Sequence, residues 1–296
     1  MHHYRASLAR GFTLVELVMV IVIGAIVAIM VAMFITLPVK GYNDSQARAE
    51  LTDVADTALR RLQRDLRLAL PNSIRRESIG GREYLELLLT KTGGRYLADE
   101  DMPSNASDPT LDFTSTGRLT FTVIGDMPTG AQAIVPGDDI VVYNLGADSG
   151  ETVANAYASQ GNRATVNGVV GNVISLASNP FSQQSPPMMS PGRHFHVLSQ
   201  AVTYVCDPTA GTLMRYWGYA ITNTQPADVA AAPLSSVTPA MLASGVTGCS
   251  FSYDNAVGSI VQQRSALVGL SLSLQTPNSN SGVVTLFHQV HVDNTP

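Results

Sequence analysis

The chain has 296 residues, 14% of them charged, with 18 Lys and Arg against 23 Asp and Glu and a formal net charge of −5. That length holds one large domain, or two modest ones, together with an anchor. Eleven of the 18 basic residues lie between Lys40 and Arg95, whereas the last 196 residues hold five bases against twelve acids, which excludes a nucleic-acid platform there.

Residues 1–11 contain Arg5 and Arg10 and no acid. Phe12–Leu37 follows, 26 residues that are apolar but for Thr13, Glu16 and Thr36. As a helix this run measures about 39 Å, against about 30 Å for a bilayer core. The positive-inside rule then places residues 1–11 in the cytoplasm and exports the rest. An ordinary secretory signal has a shorter apolar region with its small-residue cleavage site behind it; here the small residue, Gly11, stands in front. A cut after Gly11 would leave the helix in the mature protein and free an α-amino group on Phe12. Glu16 then has two readings. It is a carboxylate at the headgroup boundary near the positive end of the helix dipole, or it is the counter-ion of a Phe12 ammonium, its own or a neighbouring copy's, and sets register between copies.

The stretch RGFTLVELVMVIVIGAIVAI resembles the leader of type IV prepilins and type II secretion pseudopilins: Gly, then Phe-Thr-Leu-x-Glu, then an apolar helix. The resemblance implies an α+β fold, with a long kinked N-terminal helix packed on a mainly antiparallel, β-rich head. It implies cleavage after Gly11 by a prepilin peptidase, N-methylation of Phe12 by the same enzyme, and Glu16 as the assembly acid. The implied partners are major and minor pilins, an inner-membrane assembly platform and the lipid bilayer. The implied location is a single inner-membrane pass with a periplasmic head, then the pilus.

Four segments follow: a leader at 1–11, a transmembrane and assembly helix at 12–37, an amphipathic periplasmic helix at 38–70 and a head at 71–296. Pro38 ends or kinks the first helix. Beyond it Ala47, Leu51, Val54, Ala58, Leu62, Leu66 and Leu70 recur at three- and four-residue steps, one apolar stripe. Arg60, Arg61, Arg64 and Arg67, with Asp65 among them, read as the solvated face, with contact to acidic neighbours in a filament as the alternative, and the Arg-rich region as a whole reads as one helix face.

After Pro71 short β-type runs predict strands at 83–90, 118–125, 138–145, 171–178, 194–206, 211–221, 249–254, 266–276 and 283–292. CDPTAGT reads as a hairpin turn with Gly211 at positive φ. Three stretches rich in turn formers, 92–110, 179–193 and 222–245, read as long loops, functional or mobile.

No GxSxG, HExxH, Walker loop or GxGxxG occurs, so no enzyme is expected. Cys206 and Cys249 form no CxxC; in an exported domain they read as one disulfide that pins the base of the 222–245 loop. No cofactor is expected. Asp99-Glu100-Asp101 and Asp138-Asp139 could offer oxygens to calcium, which some pseudopilins bind, but they lack EF-hand spacing and read as solvated loops. His194, His196, His288 and His291 read as satisfied side chains rather than metal ligands, Met188-Met189 as local packing, and Trp217 with Tyr219 as core residues on one strand face.

Within the family, Glu16 disfavours the tip-type pseudopilin, which usually lacks that acid. The large head and LRRLQRDLRLAL resemble J-type minor pseudopilins. The tail from TYVCDPTAGTLMRYWGYAI to LFHQVHVDNTP is similar to the MshO-type minor prepilins of mannose-sensitive haemagglutinin (MSHA) pili. The resemblance therefore implies a minor pilin that primes or caps a filament, with a J-like pseudopilin or a tip adhesin as alternatives.

Overall fold

The computed structural model describes residues 11–101, 107–147, 152–158, 161–253, 265–276 and 282–295. The leader therefore lies outside the described residues except for Gly11.

A single helix, α1, runs from Leu14 to Arg67. It passes through Pro38 without ending, although the missing N–H leaves the Phe34 carbonyl without its usual donor. It stops at Arg67 rather than Leu70. Leu68 caps it, its N–H shared among the carbonyls of Arg64, Asp65 and Leu66, and the chain at once pairs with a strand, Leu70 N–H donating to Leu88 at 2.7 Å.

Among the described residues twelve strands follow: β1 Arg75–Ile79, β2 Arg82–Tyr96, β3 Thr120–Ile124, β4 Asp139–Val141, β5 Arg163–Val170, β6 Val173–Leu176, β7 His194–Asp207, β8 Thr212–Trp217, β9 Ala240–Ser244, β10 Val246–Tyr253, β11 Ser265–Leu274 and β12 Val284–Asp293. Every pairing among the described residues is antiparallel. The fold is α+β, as the sequence predicts.

β2 and β7 pair along nearly their whole length and serve two bodies at once. At one end they sit in a flat run, β1-β2-β7-β8-β9. At the other, the pairings β2-β3-β6-β5-β4-β7 return to β2 and close a ring of six strands. The β2–β7 register shifts between Leu89 and Thr92, where one body gives way to the other, as bulges do where a sheet bends. Phe113, Phe121, Ile140, Ile174, Phe181 and Phe195 fill the ring. Gly94 is needed there, because a Cβ would lie 2.8 Å from the Phe195 ring. The TGG at 92–94, read as the start of a loop, is thus strand that must stay slim to let an aromatic side chain past.

The second half of α1 lies between the flat run and a separate sheet, β10-β11-β12. Ala55, Ala58, Leu59, Leu62 and Leu66 recur at helical spacing and are buried against Leu85 and Leu87 of β2, Tyr204 of β7, and Leu270, Leu272, Val290 and Val292. Full burial of a Leu contributes about 1.5–3 kcal/mol, so this row alone holds the helix firmly. On the other side of the flat run, 219–237 covers Tyr84, Leu88, Val205 and Tyr216 through Tyr219, Ile221 and Leu234. The 222–245 segment is therefore long but not free: it lines the sheet and ends in β9.

The hairpin at 207–212 forms as the sequence reads, with Gly211 at φ 70°. Asp207 accepts from the Thr209 and Ala210 N–H groups, both at 2.9 Å. These bonds, the Ala210 one foremost, together with Arg82, hold its pKa below the usual carboxylate value.

Candidate functional site

The N-terminus of α1 is built by Thr13. Its backbone is extended (φ −78°, ψ 149°), and its Oγ1 accepts the Glu16 N–H at 3.3 Å while its carbonyl accepts the Leu17 N–H at 3.1 Å. Thr-x-x-Glu is the sequence of a capping box, in which the fourth residue carries a carboxylate into the first turn. That spacing could have been read from the sequence and gives Glu16 a local role in starting the helix. Its carboxylate has no partner among the described residues. A Cβ on Gly11 would touch nothing within 4 Å, so the local fold does not demand glycine there.

From Leu14 to Ile35 no large apolar side chain is less than 50% exposed. A helix apolar on every side belongs inside a membrane or a bundle, and this one is long and apolar enough to cross a bilayer. The same helix is therefore bare in its first half and clasped in its second.

Asp65 joins helix to head. The sequence places it among the solvated arginines, but it is 3% exposed. Its Oδ2 accepts from Arg215 Nη2 at 2.7 Å and Nε at 2.8 Å and from the Tyr204 hydroxyl at 2.7 Å. Arg60, Arg61, Arg64 and Arg67 do face solvent. The wider Arg-rich region is not one helix face, since Arg75, Arg76, Arg82, Lys91 and Arg95 lie on β1 and β2. Arg75 is itself buried. It pairs with the fully buried Glu86, donates to the Asn223 and Thr222 carbonyls at 2.6 and 2.8 Å, and lies 3.6 Å over the Tyr157 ring. Tyr219 donates to Glu86 at 2.9 Å. This network pins the covering segment to the sheet.

Burial raises the pKa of Glu86, and Arg75 and Tyr219 pull it back only in part. The folded form thus holds this proton more tightly than the unfolded form does. The stability contributed is full below the ordinary value of about 4.3 and is lost as pH rises through the raised value. Glu86→Gln keeps an acceptor for Arg75, so its expected cost is about 1–3 kcal/mol. It should also flatten this part of the pH dependence, read by urea midpoints between pH 4 and 8; an unchanged profile would refute the assignment.

Cys206 of β7 and Cys249 of β10 form a disulfide. It does more than pin a loop base, because it joins the flat run to the three-stranded sheet. The remaining candidates do not converge. Glu100 and Asp101 pair with Arg193, and Asp99 accepts from Thr110. Asp138 pairs with Lys91, while Asp139 faces Arg163 and accepts from Thr165. Asp99, Glu100 and Asp101 are exposed, as a solvated loop is, whereas Asp138 and Asp139 are half-buried; each has a protein partner. His194 and His196 lie on β7, His288 and His291 on β12, and no group of metal-ligating side chains forms among the described residues. Trp217 and Tyr219 do not share a strand face: Gly218 at φ 74° ends β8. Trp217 packs with the helix side and Tyr219 with the covered side. Met188 is half-buried and Met189 exposed.

Residues 7–32 match the family model of the prokaryotic N-terminal methylation motif. The chain is type IV pilin-like at its N-terminus. The motif implies processing by a prepilin peptidase and assembly with other pilins. With the apolar helix, it points to membrane anchoring of this pilin-like chain. No curated protein and no solved structure matches the chain.

Proposed function

We propose that the chain is a minor type IV pilin of the MSHA kind, which primes or caps a pilus. The carrying observation is the division of α1 into a half that is apolar and bare on all sides and a half buried in a head. The first is suited to leave a bilayer for a filament core; the second carries the head along. The sequence likeness of the tail to MshO-type minor prepilins supports the subtype, and the disulfide supports an oxidising compartment for the head.

In this reading the leader is cut after Gly11, Phe12 becomes the methylated N-terminus and Glu16 its counter-ion during assembly. Because the fold leaves room for a side chain at Gly11, the demand for glycine comes from the peptidase. Mass spectrometry of the native polypeptide should find an N-terminus at methylated Phe12. Glu16→Ala should be cut normally yet fall by about a hundredfold in sheared filaments, the cost of burying an unpaired ammonium; normal incorporation removes the role given to Glu16. Loss of protein secretion instead of pili on deletion of the gene would favour a J-like pseudopilin.

A further inference from the structure

β2 borders β7 on one side along nearly its whole length, so β4 and β8 must share the other side. They do not meet. β4 reaches Val197 through Ile140, and β8 begins opposite Val202 with Trp217. In the gap the Ala201 carbonyl accepts the Gly218 N–H at 3.1 Å. Leu198, Ser199 and Gln200 have no strand partner on that side among the described residues. Ser199 has no partner in the β2 register either, being the extra residue of a bulge. A cleft of about 460 Å³ opens here. Asp139 and Arg163 wall it on the β4 side, and Gly218, Ala220 and Ile221 on the β8 side.

The polar groups of this cleft are little used within the chain. Arg163 is half-buried and donates no hydrogen bond among the described residues. It comes no nearer than 3.7 Å to Asp139, which Thr165 already holds at 2.8 Å. The Gln200 amide and the Ser199 hydroxyl bond to no described residue. Leu198 and Ile221 add an apolar wall, continuous with the core under the covering segment. Tyr219, the aromatic residue of the lining, is buried, so the cleft offers backbone pairing rather than a ring to stack on. We propose that the gap binds a short extended peptide segment of a partner protein, which adds to the open edge of β7 between β4 and β8. Three residues of strand, about 10 Å, fill it, and their side chains point alternately to opposite faces. The segment that fits sets an apolar side chain against Leu198 and Ile221, with polar neighbours beside it and a backbone carbonyl within reach of Arg163. The volume lies in the range of about 300–1,000 Å³ usual for ligand clefts. The site belongs to the head alone and does not rest on the pilin reading.

The test uses the full chain in detergent and, as probe, a fluorescein-labelled heptapeptide of alternating Thr and Val. Fluorescence anisotropy should show saturable binding below about 1 mM, and hydrogen exchange at 198–201 should slow when the probe is bound. Methylating the central backbone nitrogens of the probe should weaken binding by about tenfold, because it removes donors and leaves the side chains. Ala220→Trp and Ser199→Trp, both at exposed lining positions, should each weaken binding by about tenfold with an unchanged urea midpoint. If either tryptophan lowers the midpoint, the methylated probe on the unaltered chain decides. No saturation by about 1 mM, or equal binding of the methylated probe, overturns the proposal. So does equal exchange protection by methyl glucoside, which would make the gap a sugar site.

Discussion

Replacing Asp65 by alanine is expected to cost the head about 3–5 kcal/mol, the usual penalty for removing one partner of a buried ion pair. Arg215 would be left with its side chain 5% exposed and with only the Trp217 and Tyr204 rings, 5.1 and 6.0 Å away, to face its charge. The Tyr204 hydroxyl would lose its acceptor as well. Burial and the adjacent Asp65 already raise the Tyr204 pKa, so this hydroxyl stays a donor through the accessible pH range. Against a typical domain stability of 5–15 kcal/mol the loss is large. It should appear as a lower urea midpoint for the full chain in detergent. Asp65→Asn, which keeps one oxygen for Tyr204, should cost less, and Asp65→Leu combined with Arg215→Leu should recover most of the loss. A cost under about 1 kcal/mol for Asp65→Ala would mean that the pair does not hold the helix to the head.

Changing both Cys206 and Cys249 to alanine should remove about 4 kcal/mol, the chain-entropy value for a closed loop of this size. The two lie 43 positions apart, and the loop they close contains β8, β9 and the covering segment. The crosslink ties β7 to β10, so its loss frees the three-stranded sheet to part from the flat run, with α1 between them losing one wall. Alanine is the better probe than serine, because Cys206 is fully buried and a hydroxyl there would have to find a partner. Reduced wild-type protein should unfold at the same urea concentration as the double variant. An oxidised protein no more stable than the reduced one would contradict the assignment.

The helix and most strands were legible because their signal is local. Three- and four-residue spacing marked Ala58, Leu62 and Leu66, and alternation marked β7, β11 and β12 within a residue or two. What escaped depends on partners distant in the chain. Asp65 looks like one more surface charge until Arg215, 150 residues away, is brought beside it. β1, β5 and β9 carry little apolar pattern, being edge strands or partly exposed, and are held by their neighbours' hydrogen bonds. Gly93 and Gly94 read as the start of a loop because nothing nearby in sequence announces Phe195. The N-terminal elements were the clearest of all, since a capping residue, a carboxylate and an unbroken apolar run need no partner to be recognised.

One consequence follows from β2 and β7 belonging to two bodies. The six-stranded ring cannot melt alone, since the strands that close it also lie at the centre of the sheet that grips α1. Opening the ring therefore disturbs strands that the sheet around α1 also uses, which couples local opening of the two bodies.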